Sequence, residues 1–101
     1  MINFKKLQKE IIDNKIAKGF NITDIPMEFR YTRGELDEAE QAYKKKLPDL
    51  GEELADVIIY LLGMAEILKI DLEKEIINKI DKNKKREYKK INGKMKRTKE
   101  A

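Results

Sequence analysis

The 101-residue chain contains neither histidine nor cysteine. That removes the commonest general base, thiol nucleophiles, zinc–thiolate sites and disulfides. Chemistry must come from carboxylates, lysines, arginines, tyrosines and hydroxyls. Two acidic pairs stand out by their spacing: Glu35 with Glu38, and Glu53 with Asp56. Residues three apart share one helix face. On a wheel at about 100° per residue, Glu53 and Asp56 head a stripe that continues through Tyr60, Met64 and Ile67. Glu52 falls about 100° away and reads as a cap or a surface residue. Glu28, Tyr31 and Ala42 lie on the face of Glu35 and Glu38. Ionised carboxylates on apolar faces are costly unless something positive compensates them. Oxygen-only ligand sets suit Mg²⁺ or Mn²⁺. The competing reading is a solvated acidic surface, because Asp37/Glu40 and Asp49/Glu52 repeat the spacing in a chain that is 42% charged.

What positions these acids is a set of helices. Phe4, Leu7, Ile11, Ile12 and Ile16 recur at helical spacing, so a first helix is expected from about residue 3 to 18, ended by Gly19. Asp24 or Thr23 can cap a second helix over about 26–45, with Pro26 early in it. Its apolar stripe is Phe29, Leu36, Ala39 and Tyr43. "KKKLPD" breaks the pattern. Asp49 can cap a third helix over about 50–68, with Glu52 at the capping-box position. That helix, "GEELADVIIYLLGMAEIL", is apolar enough to be buried nearly all round. Gly63 inside it suggests a close helix–helix contact, and Tyr31, Tyr43 and Tyr60 read as packing residues. Asp71 can cap a fourth helix carrying Leu72, Ile76 and Ile80. "INGK" is a turn signal, so residues 88–97 are expected to form a small hairpin, with "RTKEA" disordered. The fold class is all-α, with about four helices around a central antiparallel hairpin, in a single domain spanning 1–98.

The two acidic pairs are symmetric about the "KKKLP" break. An antiparallel hairpin closing there brings Glu38 level with Glu53, and Glu35 level with Asp56. Four carboxylates then converge roughly 11 Å from the loop, at 1.5 Å per residue. Neighbouring helix axes lie about 8–10 Å apart, so inward carboxylates can share ions between them.

Charge is unevenly spread. Gly34 to Asp56 carries an excess of five negatives, while Lys79 to the end carries an excess of eight positives; the net charge is +4. Such a split suits a partner bearing both metal and phosphates, or a basic tail that binds nucleic acid. No apolar run approaches the roughly 18 residues of a membrane span, and "MINFKKLQKE" is no signal segment, so a cytoplasmic protein with no membrane partner is expected. A chain this short buries a modest core, which favours self-association.

"GELDEAEQAY", "GEELADVIIYLLGMAEILKIDL" and "KIDKNKKREY" together resemble the MazG-like all-α nucleoside triphosphate pyrophosphohydrolases, over about residues 15–98. That superfamily's signature is ExxE followed, after a spacer, by ExxD. The resemblance implies a helical core that forms homodimers or homotetramers. It also implies Mg²⁺-dependent cleavage between the α- and β-phosphates of an NTP or dNTP, giving a nucleoside monophosphate and pyrophosphate. By position, Glu35, Glu38, Glu53 and Asp56 would be the metal ligands. Lys79, Asn83 and Arg86 match the segment that contacts the triphosphate, with Tyr88 beside it; the first three lie on one helical face. "KGFN" resembles a segment with an aromatic residue near the base, which makes Phe20 and Asn21 substrate-binding candidates. Phe20 stands where related sequences often have tryptophan. Lys69 replaces a glycine frequent at that helix end. A metal-bound or carboxylate-held water is the nucleophile such chemistry needs. The sequence does not choose among the four acids for orienting it; Glu38 is the candidate. The alternative function is a helical nucleic-acid-binding or regulatory protein using the basic C-terminal stretch, although nucleic acid is not the expected partner.

Overall fold

In the computed structural model, which describes residues 2–99, helices take up about two-thirds of the chain. They are α1 (Phe4–Ala17), α2 (Ile25–Lys44), α3 (Leu50–Ile67) and α4 (Leu72–Lys85), followed by strands β1 (Glu87–Ile91) and β2 (Lys94–Lys99). The helix starts follow local chemistry. Asn3 Oδ1 accepts from the Lys6 amide at 3.1 Å, and Asp24 Oδ1 from the Met27 amide at 3.0 Å. Each occupies an amide that the first helical turn leaves unpaired. Asp49 precedes α3 but makes no side-chain cap hydrogen bond, so the expected capping box does not form.

The first three helices end alike. The amides of Phe20, Leu47 and Ile70 reach back to the carbonyls of Lys15, Ala42 and Ala65 at 2.8–2.9 Å. The amides of Gly19, Lys46 and Lys69 bond to Ile16, Tyr43 and Glu66 at 3.1 Å. This is the Schellman pattern, which needs a left-handed residue just past the helix. Gly19 adopts it at φ 72°, but Lys46 and Lys69 hold it at 55° and 60° with a Cβ. Left-handed backbone costs a non-glycine residue about 1–2 kcal/mol. Lys69→Gly is therefore expected to stabilise the protein by about 0.5–1 kcal/mol, after the greater chain entropy that glycine loses on folding. Urea unfolding midpoints would read it.

The chain divides into two compact units, Met1–Asp71 and Leu72–Ala101. In the first, α3 packs against both α1 and α2. The buried apolar residues are Ala39, Ala42, Leu62, Met64 and Ala65. Small residues let the helices approach closely. A Cβ added at Gly63 would stand 3.1 Å from Ile11 Cγ2, so the α1–α3 contact explains that glycine. The buried face of α1 differs from the expected stripe: Gln8 and Lys15 are buried, while Ile16 is 56% exposed. Gln8 pairs its amide with the Ile70 carbonyl at 3.0 Å and Glu66 Oε1 at 3.4 Å.

Helix α3 is not buried all round. Leu54, Ile58 and Ile59 are exposed, because α1 and α2 cover only part of its circumference. Of the expected α2 stripe only Ala39 is buried; Phe29, Leu36 and Tyr43 face outward. Tyr43 is thus no core residue. Tyr31 is half-exposed and meets Tyr60 edge-on at 6.3 Å.

The second unit holds α4 and the hairpin. No residue of α4 is buried, and its stripe residues Ile76 and Ile80 are exposed. Asn92 and Gly93 close the hairpin with φ of 51° and 77°, the left-handed pair of a tight two-residue turn. Arg97 pairs with Tyr88 within the expected hairpin, and β2 runs on through Thr98 to Lys99, which pairs with Glu87 although that segment is expected to be disordered. Glu100 and Ala101 lie outside the described residues. Among the described residues, no helix is long and apolar enough to cross a membrane.

Candidate metal centre and adjoining cavity

Packing of α2 against α3 gathers three of the four expected acids. One carboxylate oxygen from each of Glu35, Glu38 and Glu53 lies within 4.8 Å of the other two. Glu35 Oε2 and Glu53 Oε2 are buried and have no hydrogen-bond partner. A buried carboxylate oxygen without a donor is costly. Burial pushes the Glu35 carboxyl above its usual range, and Glu38, Asp56 and Glu53 add to the shift. Glu53 is raised as well, by desolvation first and then by Glu38, Asp49 and Asp56. Glu38 thus adds to the repulsion felt by both. Asp56 lies at the margin: it is exposed and outside the set of converging oxygens, yet its charge is felt by Glu35, Glu53 and Tyr60.

The donor set fits a hard divalent cation. It is all oxygen, the donor type that Mg²⁺ and Mn²⁺ prefer. The orphaned oxygens of Glu35 and Glu53 are the atoms such an ion would satisfy. Asp49, read from the sequence as a cap, belongs in this neighbourhood too. Its Oδ1 is buried without a partner, and it adds to the repulsion felt by Glu53 one turn on. The i, i+4 spacing of Asp49 and Glu53 could have flagged it.

Beside the cluster lies a feature that the sequence reading missed. Lys15 of α1 and Glu28 of α2 form a buried ion pair, with side chains 10% and 1% exposed. Asn21 donates to Glu28 Oε2 at 3.0 Å and to the Asp24 carbonyl at 2.9 Å. Its Oδ1 accepts from the Asp24 and Thr23 amides at 3.0 and 3.3 Å. The Lys15 ammonium lies 5.4 Å from the centre of the Tyr60 ring. One sequence signal was available: Lys15 follows Phe4, Leu7 and Ile11 on an apolar face, where an unpaired lysine does not belong.

These groups line a cavity of about 390 Å³ together with Phe20 and Tyr31. A second cavity of about 290 Å³ shares Lys15, Phe20 and Tyr60, and adds the apolar walls Ile11 and Ile59. Both volumes are of the order of small-molecule sites. Tyr60 couples cavity and cluster: its hydroxyl is pushed up by desolvation first, then by Glu35 and Glu28. The structure thus places Phe20 and Asn21 on the cavity wall.

Lys79, Asn83, Arg86 and Tyr88 belong to the second unit. Lys79 and Asn83 sit one turn apart on α4. Arg86 Nη1 donates to Asn83 Oδ1 at 3.0 Å, and the Arg86 amide meets the Asn83 carbonyl at 3.3 Å. Tyr88 is the second residue of β1 and is half-exposed.

Comparison with known families finds one model, the MazG nucleotide pyrophosphohydrolase domain, matching residues 27–91. Neither the curated proteins nor the solved structures give a match. The matched span holds all four acids as well as Lys79, Asn83, Arg86 and Tyr88, and it covers well over half of the chain. The chain belongs to the MazG nucleotide pyrophosphohydrolase domain family.

Proposed function

We propose that the protein hydrolyses a nucleoside triphosphate between its α- and β-phosphates, releasing a nucleoside monophosphate and pyrophosphate, with Mg²⁺ as cofactor and Mn²⁺ as substitute. The carrying observation is the convergence of Glu35, Glu38 and Glu53 with two buried oxygens lacking donors. Those three residues and Asp56 would hold the metal. Once bound, the cation supplies charge to polarise the phosphate and make water a usable nucleophile. Glu38 has a carboxylate oxygen within 4.8 Å of both other acids and is our candidate to orient that water and take its proton. The cavity edged by Phe20 and Asn21 takes the base. Lys79, Asn83 and Arg86, with Tyr88, are assigned to the triphosphate by charge and hydrogen-bonding capacity.

A pyrophosphate-release assay over a panel of NTPs and dNTPs tests this reading. Turnover of at least one triphosphate, dependent on Mg²⁺ or Mn²⁺ and yielding the monophosphate, is expected. No turnover with either metal, together with Glu53→Gln and Asp56→Asn variants that bind metal like the parent, would remove the enzyme reading.

We also propose that two or more copies assemble. Leu36, Tyr43 and Leu54 are 55%, 70% and 50% exposed and border one hollow between α2 and α3. That is an open apolar surface of the kind that marks a protein interface. Sedimentation equilibrium is expected to give a mass of at least twice 11.9 kDa; a monomer at micromolar concentration would refute it.

A further inference from the structure

Triphosphate hydrolysis gives no role to the hairpin beyond Tyr88. Residues 72–101 hold twelve lysines and arginines against five acids, and six of the twelve fall on β1 and β2. Every residue of both strands is exposed, and neither strand makes more than a marginal contact with a helix. A two-stranded hairpin standing alone is marginally stable in water. This one also sets like charges opposite each other, because Lys89 pairs directly with Lys96. Such a pair is destabilising until an anion answers it.

Paired residues share a face of the ribbon, and successive pairs alternate faces. Lys89, Lys96, Lys94 and Ile91 therefore lie on one face, and Tyr88, Arg97, Lys90 and Met95 on the other. Lys89, Lys90, Lys94 and Lys96 have no hydrogen-bond or ion-pair partner among the described residues. The one acid in either strand, Glu87, stands at the open end, 3.7 Å from Lys99.

The ribbon is thus positive on both faces. A flat anionic surface, whether a membrane or an acidic protein, meets one face and leaves the charges of the other unanswered. The apolar residues are divided between the faces as well, so neither forms a patch for insertion into lipid. A groove walled by phosphates answers both faces at once. The major groove of B-form DNA is about 12 Å wide and admits a two-stranded ribbon. The lengths agree too. The five residues of β1 extend about 17 Å at about 3.4 Å each, and duplex DNA carries about ten negative charges over that length.

We propose that the β1–β2 hairpin docks in the major groove of duplex DNA, with Lys89, Lys90, Lys94 and Lys96 on the phosphates. This is a binding function separate from the acidic cluster, and it holds or fails independently of triphosphate hydrolysis. Phosphate contacts of this kind set affinity and orientation without reading sequence.

The test is fluorescence anisotropy of the full chain on a short DNA duplex, on one of its single strands, and on duplex RNA of the same sequence, over a range of salt. Duplex DNA should bind tightest, with log K falling against log salt at a slope of about −3 to −4 for four phosphate contacts. Duplex RNA should bind more weakly, because its major groove is too deep and narrow to enter. Lys89→Thr/Lys96→Thr keeps strand-favouring side chains and removes the cross-strand repulsion. It should melt no lower than the parent, lose about two units of salt slope and weaken duplex binding by about tenfold or more. If that variant does not fold, Lys94→Thr, expected to remove about one unit of slope, decides. Absence of duplex binding by the parent overturns the proposal. Equal or tighter binding of single strand or duplex RNA does so too, as does a folded double variant that binds like the parent. Hairpin-dependent binding to phosphatidylserine vesicles in place of DNA would assign the ribbon to a membrane and overturn it as well.

Discussion

Glu53→Gln is expected to lower kcat/KM by about 10²–10³-fold while raising the melting temperature of the metal-free protein. The two effects have opposite signs for one reason. Glu53 carries a buried, unpartnered oxygen and stands against Glu38, Asp49 and Asp56. Without metal its charge is a liability; under the proposed function it would be a ligand. Neutralising it relieves the repulsion and weakens the hold on the cation. Asp56→Asn should act in the same direction with a smaller stability gain, since Asp56 is exposed. Thermal melts with EDTA and with Mg²⁺, beside the pyrophosphate assay, read both halves. A clear fall in the metal-free melting temperature of both variants would argue against a preformed acidic cluster.

The same repulsion fixes the sign of a pH effect. Glu35 and Glu53 have folded-state pKa values above the ordinary carboxylate value. Between the unfolded and folded values the native state binds more protons than the unfolded one. Metal-free stability from this cluster is therefore highest below the ordinary glutamate pKa and is lost as pH rises through the raised folded values. Saturating Mg²⁺ should flatten that decline, because ion and proton answer the same need. Melting temperatures from pH 4 to 8, with and without Mg²⁺, check it. A metal-free curve that rises over this range in parallel with the metal-bound one would contradict it.

Breaking the Lys15–Glu28 pair is the largest stability change expected of any single substitution here. Lys15→Met leaves a carboxylate that is 1% exposed with Asn21 as its remaining donor. Removing one partner of a buried pair costs about 3–5 kcal/mol, a large share of the 5–15 kcal/mol that holds a typical domain together. Lys15→Met/Glu28→Leu should recover most of that loss, because neither charge is then stranded. The rescue separates a stranded charge from a mere packing defect. Chemical denaturation of the parent, the single and the double variant measures it. A Lys15→Met variant within about 1 kcal/mol of the parent would mean that water already reaches Glu28.

Local signals carried far along this chain. The helix boundaries, the Asp24 cap and the Asn92–Gly93 turn all rest on short-range rules of capping and turn geometry. The symmetric acid pairs pointed to four converging carboxylates; Glu35, Glu38 and Glu53 do meet, because register in a helical hairpin follows from loop position, but Asp56 stays exposed outside their group. Failures came where a neighbour outvoted the local pattern. Asp49 had the right type and place for a cap, yet it makes no cap hydrogen bond and joins the acidic group around Glu53. Ile16 kept helical spacing with Ile12 but faces outward, while Gln8 and Lys15 took the buried face.

The sequence by itself thus determined the helical class and the facing of the acids on α2 and α3, since composition and periodicity need no third dimension. Tertiary structure alone decided that Asn21 and Glu28 of one segment would trap Lys15 of another, and that a cavity would open beside them. A buried ion pair between separate helices obeys no sequence spacing. It forms because packing removes water from both charges at once and leaves each as the other's partner.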